Sequence, residues 1–350
     1  MTDIIKYLEV RRSGIINTTK FLKSMKYMIG TSFQYTQHSI RNLYGIEDAT
    51  ILHNRLLIMD CLGDIYAYDM SPQAECMLDD VLTPITSWTN DRTVKKHTLS
   101  NNCVQWGKCG LFFTVTGKSN TLITVDGTEF YELDRIHIPD AVFTTMHEPS
   151  PERDHHIAVA SSLKSIAIID LKTGNVALNG FKGHTTSVTA LSWSQTDSDL
   201  IMTANTSEVL LWDLRSHKTP LHLGINMSPI VVPEIRFLDR TSVVVLCGLN
   251  RLVVWDILNC KSIREITGFN LKKSRKRCKY FIEMESKPVL LYLPSQHHVN
   301  VINLETGEFI KQLGPHVDIV NIAISNDRTK ELMTFAKHEG FIWKPSGYMS

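Results

Sequence analysis

The stretch GHTTSVTALSWSQTDSDLIMTANTSEVLLWDLR, residues 183–215, begins with Gly-His and ends with Trp-Asp-Leu-Arg. It contains three short apolar runs, Val188–Trp193, Leu200–Thr203 and Val209–Trp212, separated by polar turn residues. Short apolar and β-branched runs between turn residues are typical of β-strands. The stretch is therefore interpreted as one strand-turn-strand unit, and the question is whether it repeats.

Similar units recur along the whole chain of 350 residues. Each has a strand-like run ending in an aromatic or aliphatic residue, followed in all but the last unit by Asp or Asn; these markers are Tyr68, Val125, Ile169, Trp212, Trp255, Ile302 and Trp343. Their separations are 57, 44, 43, 43, 47 and 41 residues, close to the ~40–45-residue period of four-stranded propeller blades. The sequence predicts an all-β fold, a seven-bladed WD-repeat β-propeller over residues 31–346 with a short tail at 347–350. Two β-sandwiches would not explain the constant spacing.

Buried tryptophans need a partner for the indole N–H. In the best unit, Thr203 and His184 can supply a polar network to Trp212, but the hairpin Asn205–Glu208 lacks the usual aspartate. We therefore expect this network to be incomplete. The residues predicted to stabilise the blades are His184, Thr203, Trp212, Asp213, Trp255, Asp256 and Trp343.

The last marker, Trp343, lies seven residues before the end of the sequence. Because each blade needs four strands, we expect an early strand within Thr31–Ile40 to pair with the seventh blade and close the ring. The longest interval contains a polar stretch, Ser87–Asn102, which is interpreted as a surface loop.

Residues 1–30 do not fit the blade pattern. Ile4, Tyr7, Leu8 and Arg11 follow a helical spacing, and Gly14 can end that helix. A second apolar stripe at helical spacing follows over residues 21–29. The predicted helix-loop-helix either lies across the propeller or inserts its first helix into a groove of another protein.

Composition excludes several classes of function. Charged residues make up 21% and the formal net charge is +1, so there is no global attraction to nucleic acid or to an anionic membrane. No apolar run approaches eighteen residues, so we expect no membrane span, and the N-terminus is not expected to be a secretory signal. The seven cysteines form no C-x-x-C motif and are expected to be reduced, in the cytosol or nucleus.

One local cluster is strongly basic, and it comprises Lys272, Lys273, Arg275, Lys276 and Arg277. Such a cluster is typical of a nuclear-import signal, of a phosphate contact, or of a solvated loop between blades. No series of aromatic residues accompanies it, which argues against single-strand binding. Direct contact with DNA is left open.

Two histidine pairs, in DHH (Asp154–His156) and QHH (Gln296–His298), have metal-ligand chemistry. Because neighbouring residues of a strand point to opposite faces, we expect neither pair to share an ion. No catalytic constellation of residues is apparent, and the inner strand of the best unit is apolar. The sequence therefore predicts no catalytic residue, no metal and no cofactor, and a protein that is not an enzyme.

Five stretches resemble, in the same order, the Cockayne syndrome A family of WD-repeat proteins. They are YLEVRRSG (7–14), VQWGKCGLFFTVTGKSNTLITVD (104–126), LKTGNVALNGFKGHTTSVTALSWS (171–194), HVNVINLETGEFIKQLG (298–314) and KELMTFAKHEGFIWKPS (330–346). The resemblance spans almost the whole chain, and it depends on the order of the motifs because each alone is of low specificity.

The resemblance implies a substrate receptor of a cullin-4 RING ubiquitin ligase. Such receptors dock on the adaptor DNA damage-binding protein 1 through an N-terminal helix-loop-helix and one side of the propeller. The implied adaptor-binding residues are Ile4, Tyr7, Leu8 and Arg11 in the helix, Arg12 and Gly14 in the loop, and Arg215 of a Trp-Asp-x-Arg signature.

The resemblance also implies the remaining partners: cullin-4, the RING subunit, and a transcription-coupled repair ATPase with RNA polymerase II as recruited partners. The expected process is transcription-coupled nucleotide-excision repair, and the expected location is the nucleus. The alternative is a WD-repeat scaffold of another nuclear complex, in chromatin or RNA processing.

Overall fold

A computed structural model describes most of the chain outside its N-terminal segment. The described residues are 33–41, 45–71, 84–89, 103–116, 121–138, 143–146, 155–161, 164–216, 219–228, 234–271, 278–284, 289–326 and 328–345. All regular structure in these residues is β-strand. No helix long and apolar enough to cross a lipid bilayer occurs among them.

The first strand is β1 (Phe33–Arg41). The next sixteen form four sheets of four strands each. Blade 1 contains β2 (Ile46–Leu52), β3 (Arg55–Asp60), β4 (Ile65–Asp69) and β5 (Thr86–Trp88); blade 2 contains β6 (Val104–Trp106), β7 (Phe112–Thr116), β8 (Thr121–Asp126) and β9 (Glu132–His137); blade 3 contains β10 (Phe143–Met146), β11 (His156–Ser161), β12 (Ser165–Asp170) and β13 (Asn175–Lys182); blade 4 contains β14 (Ala190–Trp193), β15 (Leu200–Ala204), β16 (Val209–Asp213) and β17 (Leu221–His222).

Three further sheets complete the ring. Blade 5 contains β18 (Glu234–Phe237), β19 (Ser242–Gly248), β20 (Arg251–Asp256) and β21 (Lys261–Thr267); blade 6 contains β22 (Phe281–Glu283), β23 (Leu290–Ser295), β24 (His298–Asn303) and β25 (Phe309–Leu313); blade 7 contains β26 (Ile322–Ser325), β27 (Leu332–Phe335) and β28 (Glu339–Pro345), together with β1. The predicted seven-bladed propeller is confirmed, and each marker residue lies in the third strand of its blade. The predicted N-terminal helices lie outside the described residues.

The ring is closed by β1, the first strand of the described residues. β1 pairs antiparallel with β28, from Phe33 opposite Pro345 to Arg41 opposite Glu339. It is the outermost strand of blade 7, whose other three strands come from the end of the sequence. The predicted closing strand is therefore confirmed, and the backbone groups of β28 that would otherwise form an open edge are paired.

The sequence interpretation of Ser87–Asn102 as a loop is wrong at its beginning. Ser87 and Trp88 lie in β5, and Trp88 is 8% exposed because it packs among apolar residues of blades 1 and 2. Burial of this one tryptophan anchors the strand, although the surrounding sequence is polar and is therefore more typical of a loop. Residues 90–102 lie outside the described part of the chain.

Adjacent blades are held together by apolar side chains. Within the described residues there are seven apolar clusters, and each one joins two neighbouring blades, including blades 7 and 1. The cluster between blades 7 and 1 packs Ile46 and Ile58 against Ile324 and Phe335. Burial of this apolar surface is the main stabilising contribution, and it requires that every blade have a neighbour on both sides.

Removal of β1 should therefore destabilise the whole ring. We expect deletion of residues 1–41 to lower the midpoint of thermal unfolding and to cause self-association, because the edge of β28 becomes exposed. Deletion of residues 1–32, which keeps every described strand, is the matched control and should change the midpoint little. Equal midpoints and equal elution volumes for the two deletions would contradict closure by β1.

Candidate functional site

The polar network of blade 4 is complete, contrary to the prediction. Trp212 Nε1 donates to Thr203 Oγ1 at 2.8 Å, and the same oxygen lies 2.7 Å from His184 Nε2. On its other side, His184 Nδ1 lies 3.2 Å from Asn205 Nδ2 and 3.4 Å from Glu208 Oε1. Asn205 and Glu208 therefore replace the missing aspartate of the hairpin.

Glu208 also fixes the chain that enters the blade. Its Oε1 accepts hydrogen bonds from the backbone N–H of Thr185 at 2.7 Å and from the Thr185 hydroxyl at 2.9 Å. Burial lowers the pKa of His184, although Glu208 opposes this shift. A Cβ at Gly183 would lie 3.2 Å from both the Trp212 ring and Pro220 Cγ, so a larger residue there would press on the tryptophan.

Blade 7 contains a similar but less complete network, built on His316 although no Gly-His dipeptide is present there. His316 Nδ1 has no hydrogen-bond partner, and Ala336 stands where blade 4 has Asn205. Trp343 Nε1 donates to Thr334 Oγ1 at 2.8 Å, and this oxygen lies 2.9 Å from His316 Nε2. Glu339 Oε1 accepts from Val317 N at 2.7 Å and lies 3.7 Å from His316 Nδ1. The common sequence signal is a glutamate four residues before the tryptophan, in EVLLW and EGFIW, and it could have revealed both networks.

Blade 5 shows what happens without that signal. Leu246 stands nine residues before Trp255, where blades 4 and 7 have a threonine. The Trp255 indole nitrogen has no hydrogen-bond partner, and its ring packs at the edge of the apolar cluster between blades 4 and 5. Asp256 instead stabilises the following turn.

The acid or asparagine after each of the first six markers has one shared role, which is to close the turn to the outer strand. Its side-chain Oδ1 accepts a backbone N–H two or three residues later, over 2.7–3.0 Å; these residues are Asp69, Asp126, Asp170, Asp213, Asp256 and Asn303. Such Asx turns compete well with continued strand pairing. In blade 7 the corresponding residue is Lys344 and no turn follows, because β1 supplies the outer strand.

These turns define one face of the propeller. In each of blades 1–6, the connections from first to second strand and from third to fourth strand emerge on the same side of the antiparallel sheet. We call this side the lower face and the opposite side the upper face. Arg215 lies in the turn between β16 and β17 and therefore on the lower face.

The Arg215 side chain is exposed but held in place. Its Nη2 and Nε donate to the Asp213 carboxylate at 2.8 and 2.9 Å, and Asp199 Oδ2 lies 3.8 Å from Nε. The bond from Arg215 lowers the pKa of Asp213 below its ordinary range. The side chain remains 62% exposed, so the guanidinium is positioned but still accessible to a partner.

Exposed apolar side chains are concentrated on the same face. Five exposed large apolar residues lie in described turns of the lower face: Ile85, Leu111, Tyr131, Leu258 and Met284. In the described turns of the upper face, Val317 is the only such residue. The other exposed large apolar residues lie in outer strands: Leu133, Val176, Leu221, Ile263 and Phe309. Apolar exposure of this kind is typical of protein-binding surfaces.

A groove crosses part of the lower face. It has a volume of about 440 Å³ and lies between the turns of blades 1, 2 and 7. Ile85, Leu111, Cys109 and Arg328 are among the residues that line it. The groove combines apolar side chains with two cations, Arg55 and Arg328, and one acid, Asp69.

Charged groups meet near the inner strands, although the inner strand of the best unit is apolar. Lys279 Nζ donates to Asp48 Oδ1 at 3.1 Å and to the carbonyl oxygen of Ala49 at 2.7 Å. Arg236 Nη2 lies 3.3 Å from Glu234 Oε1 on the same inner strand. Asp48 and Glu234 are therefore each paired with a cation.

The remaining predicted site residues lie outside the described part of the chain. These are Ile4, Tyr7, Leu8, Arg11, Arg12 and Gly14, and the basic cluster Lys272, Lys273, Arg275, Lys276 and Arg277. By position in the sequence, the basic cluster falls between β21 and β22, which connects blades 5 and 6.

The fold is a seven-bladed β-propeller with WD-repeat-like blades, which fits a scaffold or receptor in general. A scan against protein-family models gave no match, and neither did a search of curated protein sequences.

The blade 4 network should contribute measurably to stability. We expect Thr203→Val to lower the free energy of unfolding by about 1–3 kcal/mol, because the Trp212 and His184 nitrogens lose a buried partner. Thr203→Ser keeps the hydroxyl and should cost less. The measurement is denaturant unfolding followed by tryptophan fluorescence, and a valine variant as stable as the serine variant would contradict the network.

Stability should also fall in mild acid. Burial, with smaller contributions from His298 and His297, lowers the pKa of His316 to about 4. In the unfolded chain the His316 imidazole binds a proton near pH 6.5, whereas in the folded protein it does so only near pH 4. The free energy of unfolding therefore falls as the pH decreases from 6.5 towards 4, and the loss is about 2 kcal/mol at pH 5. His316→Gln should reduce the difference in unfolding free energy between pH 7 and pH 5, whereas an unchanged difference would show that His316 is not the group responsible.

Proposed function

We propose that the protein is a non-catalytic substrate-recognition subunit of a cullin-4 RING E3 ubiquitin ligase in transcription-coupled nucleotide-excision repair. The adaptor in this proposal is DNA damage-binding protein 1, which joins the propeller to cullin-4 and the RING subunit. The recruited partners are the repair ATPase and RNA polymerase II. The resemblance of five collinear stretches supports this particular assignment.

The structural observation that carries the proposal is the position of Arg215. The guanidinium is fixed by two acidic side chains, yet 62% exposed, on the face that also exposes most of the apolar turn residues. A pre-ordered arginine loses little side-chain entropy on binding, and arginine is enriched among residues that dominate interfaces. The lower face is therefore the proposed adaptor-binding surface, together with the N-terminal segment.

In this proposal the propeller serves as a rigid platform. Asp48 and Glu234 of the inner strands are paired with cations of the protein itself, and the ligase partners supply the chemistry of ubiquitin transfer. The upper face is left for substrate or for the repair ATPase, and the basic cluster at residues 272–277 serves nuclear import.

The adaptor contact can be tested with charge reversals at matched positions. We expect Arg215→Glu to weaken co-purification of DNA damage-binding protein 1 about tenfold, equivalent to roughly 1.4 kcal/mol. Arg135→Glu is the control, since Arg135 is also exposed and bound to a neighbouring acid, Glu132, but lies in the outer strand β9. Leu8→Glu should abolish the association while circular dichroism remains that of a folded propeller.

Two results would contradict the proposal. If Leu8→Glu binds the adaptor as the wild type does, the N-terminal helix is not inserted into the adaptor. If Arg215→Glu and Arg135→Glu have equal effects on adaptor binding, the lower face is not the contact surface. If the wild-type protein recovers no ligase adaptor from nuclear extract, the alternative is a WD-repeat scaffold of another nuclear complex, in chromatin or RNA processing.

A further inference from the structure

We propose that His155, His156 and Asp170 form a binding site for Zn²⁺ at the lower face of blade 3. This inference is independent of the proposed ligase role. The potential ligand atoms of the three side chains all lie within 4.8 Å of one another. The rings of the two histidines are 4.3 Å apart between centroids and are tilted by 53°.

The sequence argument against a shared ion fails here because the two histidines do not belong to the same strand segment. His155 lies in the turn before β11, whereas His156 is the first residue of that strand. The alternation of side chains across a strand therefore does not apply to the pair. His156 lies directly opposite Asp170, the last residue of β12, which brings the carboxylate to the same place.

Comparison with the neighbouring blades shows what is special about this position. The turn-closing acid of blade 4, Asp213, is bound by Arg215, and that of blade 5, Asp256, is bound by Asn259 Nδ2 at 2.6 Å. In blade 3 two imidazoles face the corresponding acid. Asp170 Oδ1 accepts the Lys172 N–H at 2.9 Å, which fixes the plane of the carboxylate.

Two imidazole nitrogens and one carboxylate oxygen are a ligand set that suits Zn²⁺ and other late divalent metals, but not Mg²⁺ or Ca²⁺. Tetrahedral zinc with bonds of about 2.0–2.1 Å places its ligand atoms about 3.3 Å apart. The ligand atoms, now within 4.8 Å of one another, must therefore approach by about 1.5 Å, and His155 is only partly buried in its turn. Water completes the coordination, and the ion joins the beginning of β11 to the end of β12.

The test uses the full-length chain freed of metal with a chelator. Zn²⁺ is titrated in the presence of a chromophoric competitor, for the wild type and for His156→Gln and Asp170→Asn. We expect one high-affinity equivalent in the wild type and affinity lower by about tenfold or more in both variants. His137→Gln is the matched control, because it removes a histidine from the end of β9 in the neighbouring blade 2. This variant should bind Zn²⁺ as the wild type does. Mg²⁺ should not compete.

A second measurement separates metal binding from folding defects and from zinc bound by cysteines. Zn²⁺ should raise the thermal midpoint of the wild type but not of the two ligand variants, whose metal-free midpoints should match that of the wild type. Absence of zinc binding by the wild type, or equal affinity in wild type, His156→Gln and Asp170→Asn, would overturn the proposal. The three residues would then be a hydrogen-bonded group that replaces the arginine of blade 4.

Discussion

The pairing of β1 with β28 is the constraint on which the rest of the structure depends. It joins the beginning of the described chain to its end, so that blade 7 is a complete sheet and every blade has two neighbours. Each of the seven apolar clusters needs side chains from two blades. Without closure, the backbone edge of β28 would be open.

The polar networks of blades 4 and 7 are a second constraint, which acts within single blades. In blades 4 and 7 a buried threonine hydroxyl joins the tryptophan indole to the histidine Nε2, and a glutamate holds the incoming chain. In blade 4 the histidine Nδ1 also has a partner, Asn205, whereas in blade 7 it has none. Such a network is costly when partly satisfied, so it fixes one arrangement of the blade. The blades therefore share the same strand arrangement and differ mainly in their turns. The lower-face turns present a positioned arginine and several exposed apolar side chains.

Much of the fold could be predicted because it depends on period. The marker spacing revealed seven units, and the need for four strands per blade predicted the closing strand. The blade 4 network could not be predicted from the usual hairpin aspartate, because Asn205 and Glu208 take its place beside His184. The approach of His155 to His156 could not be predicted, because it depends on β11 beginning between them. Likewise, the charges of the channel become visible only when inner strands from different blades are brought together, as Lys279 and Asp48 are.

The central proposal is that the lower face, and not the upper one, is the surface for the ligase adaptor. Chemical cross-linking with mass spectrometry of the complex purified through the full-length chain tests it most directly. Described lysines are available on both faces: Lys108 and Lys330 lie in lower-face turns, whereas Lys164 and Lys337 lie in upper-face turns. The account predicts that Lys108 and Lys330 cross-link to DNA damage-binding protein 1. Adaptor cross-links confined to Lys164 and Lys337, or none to either face, would contradict it.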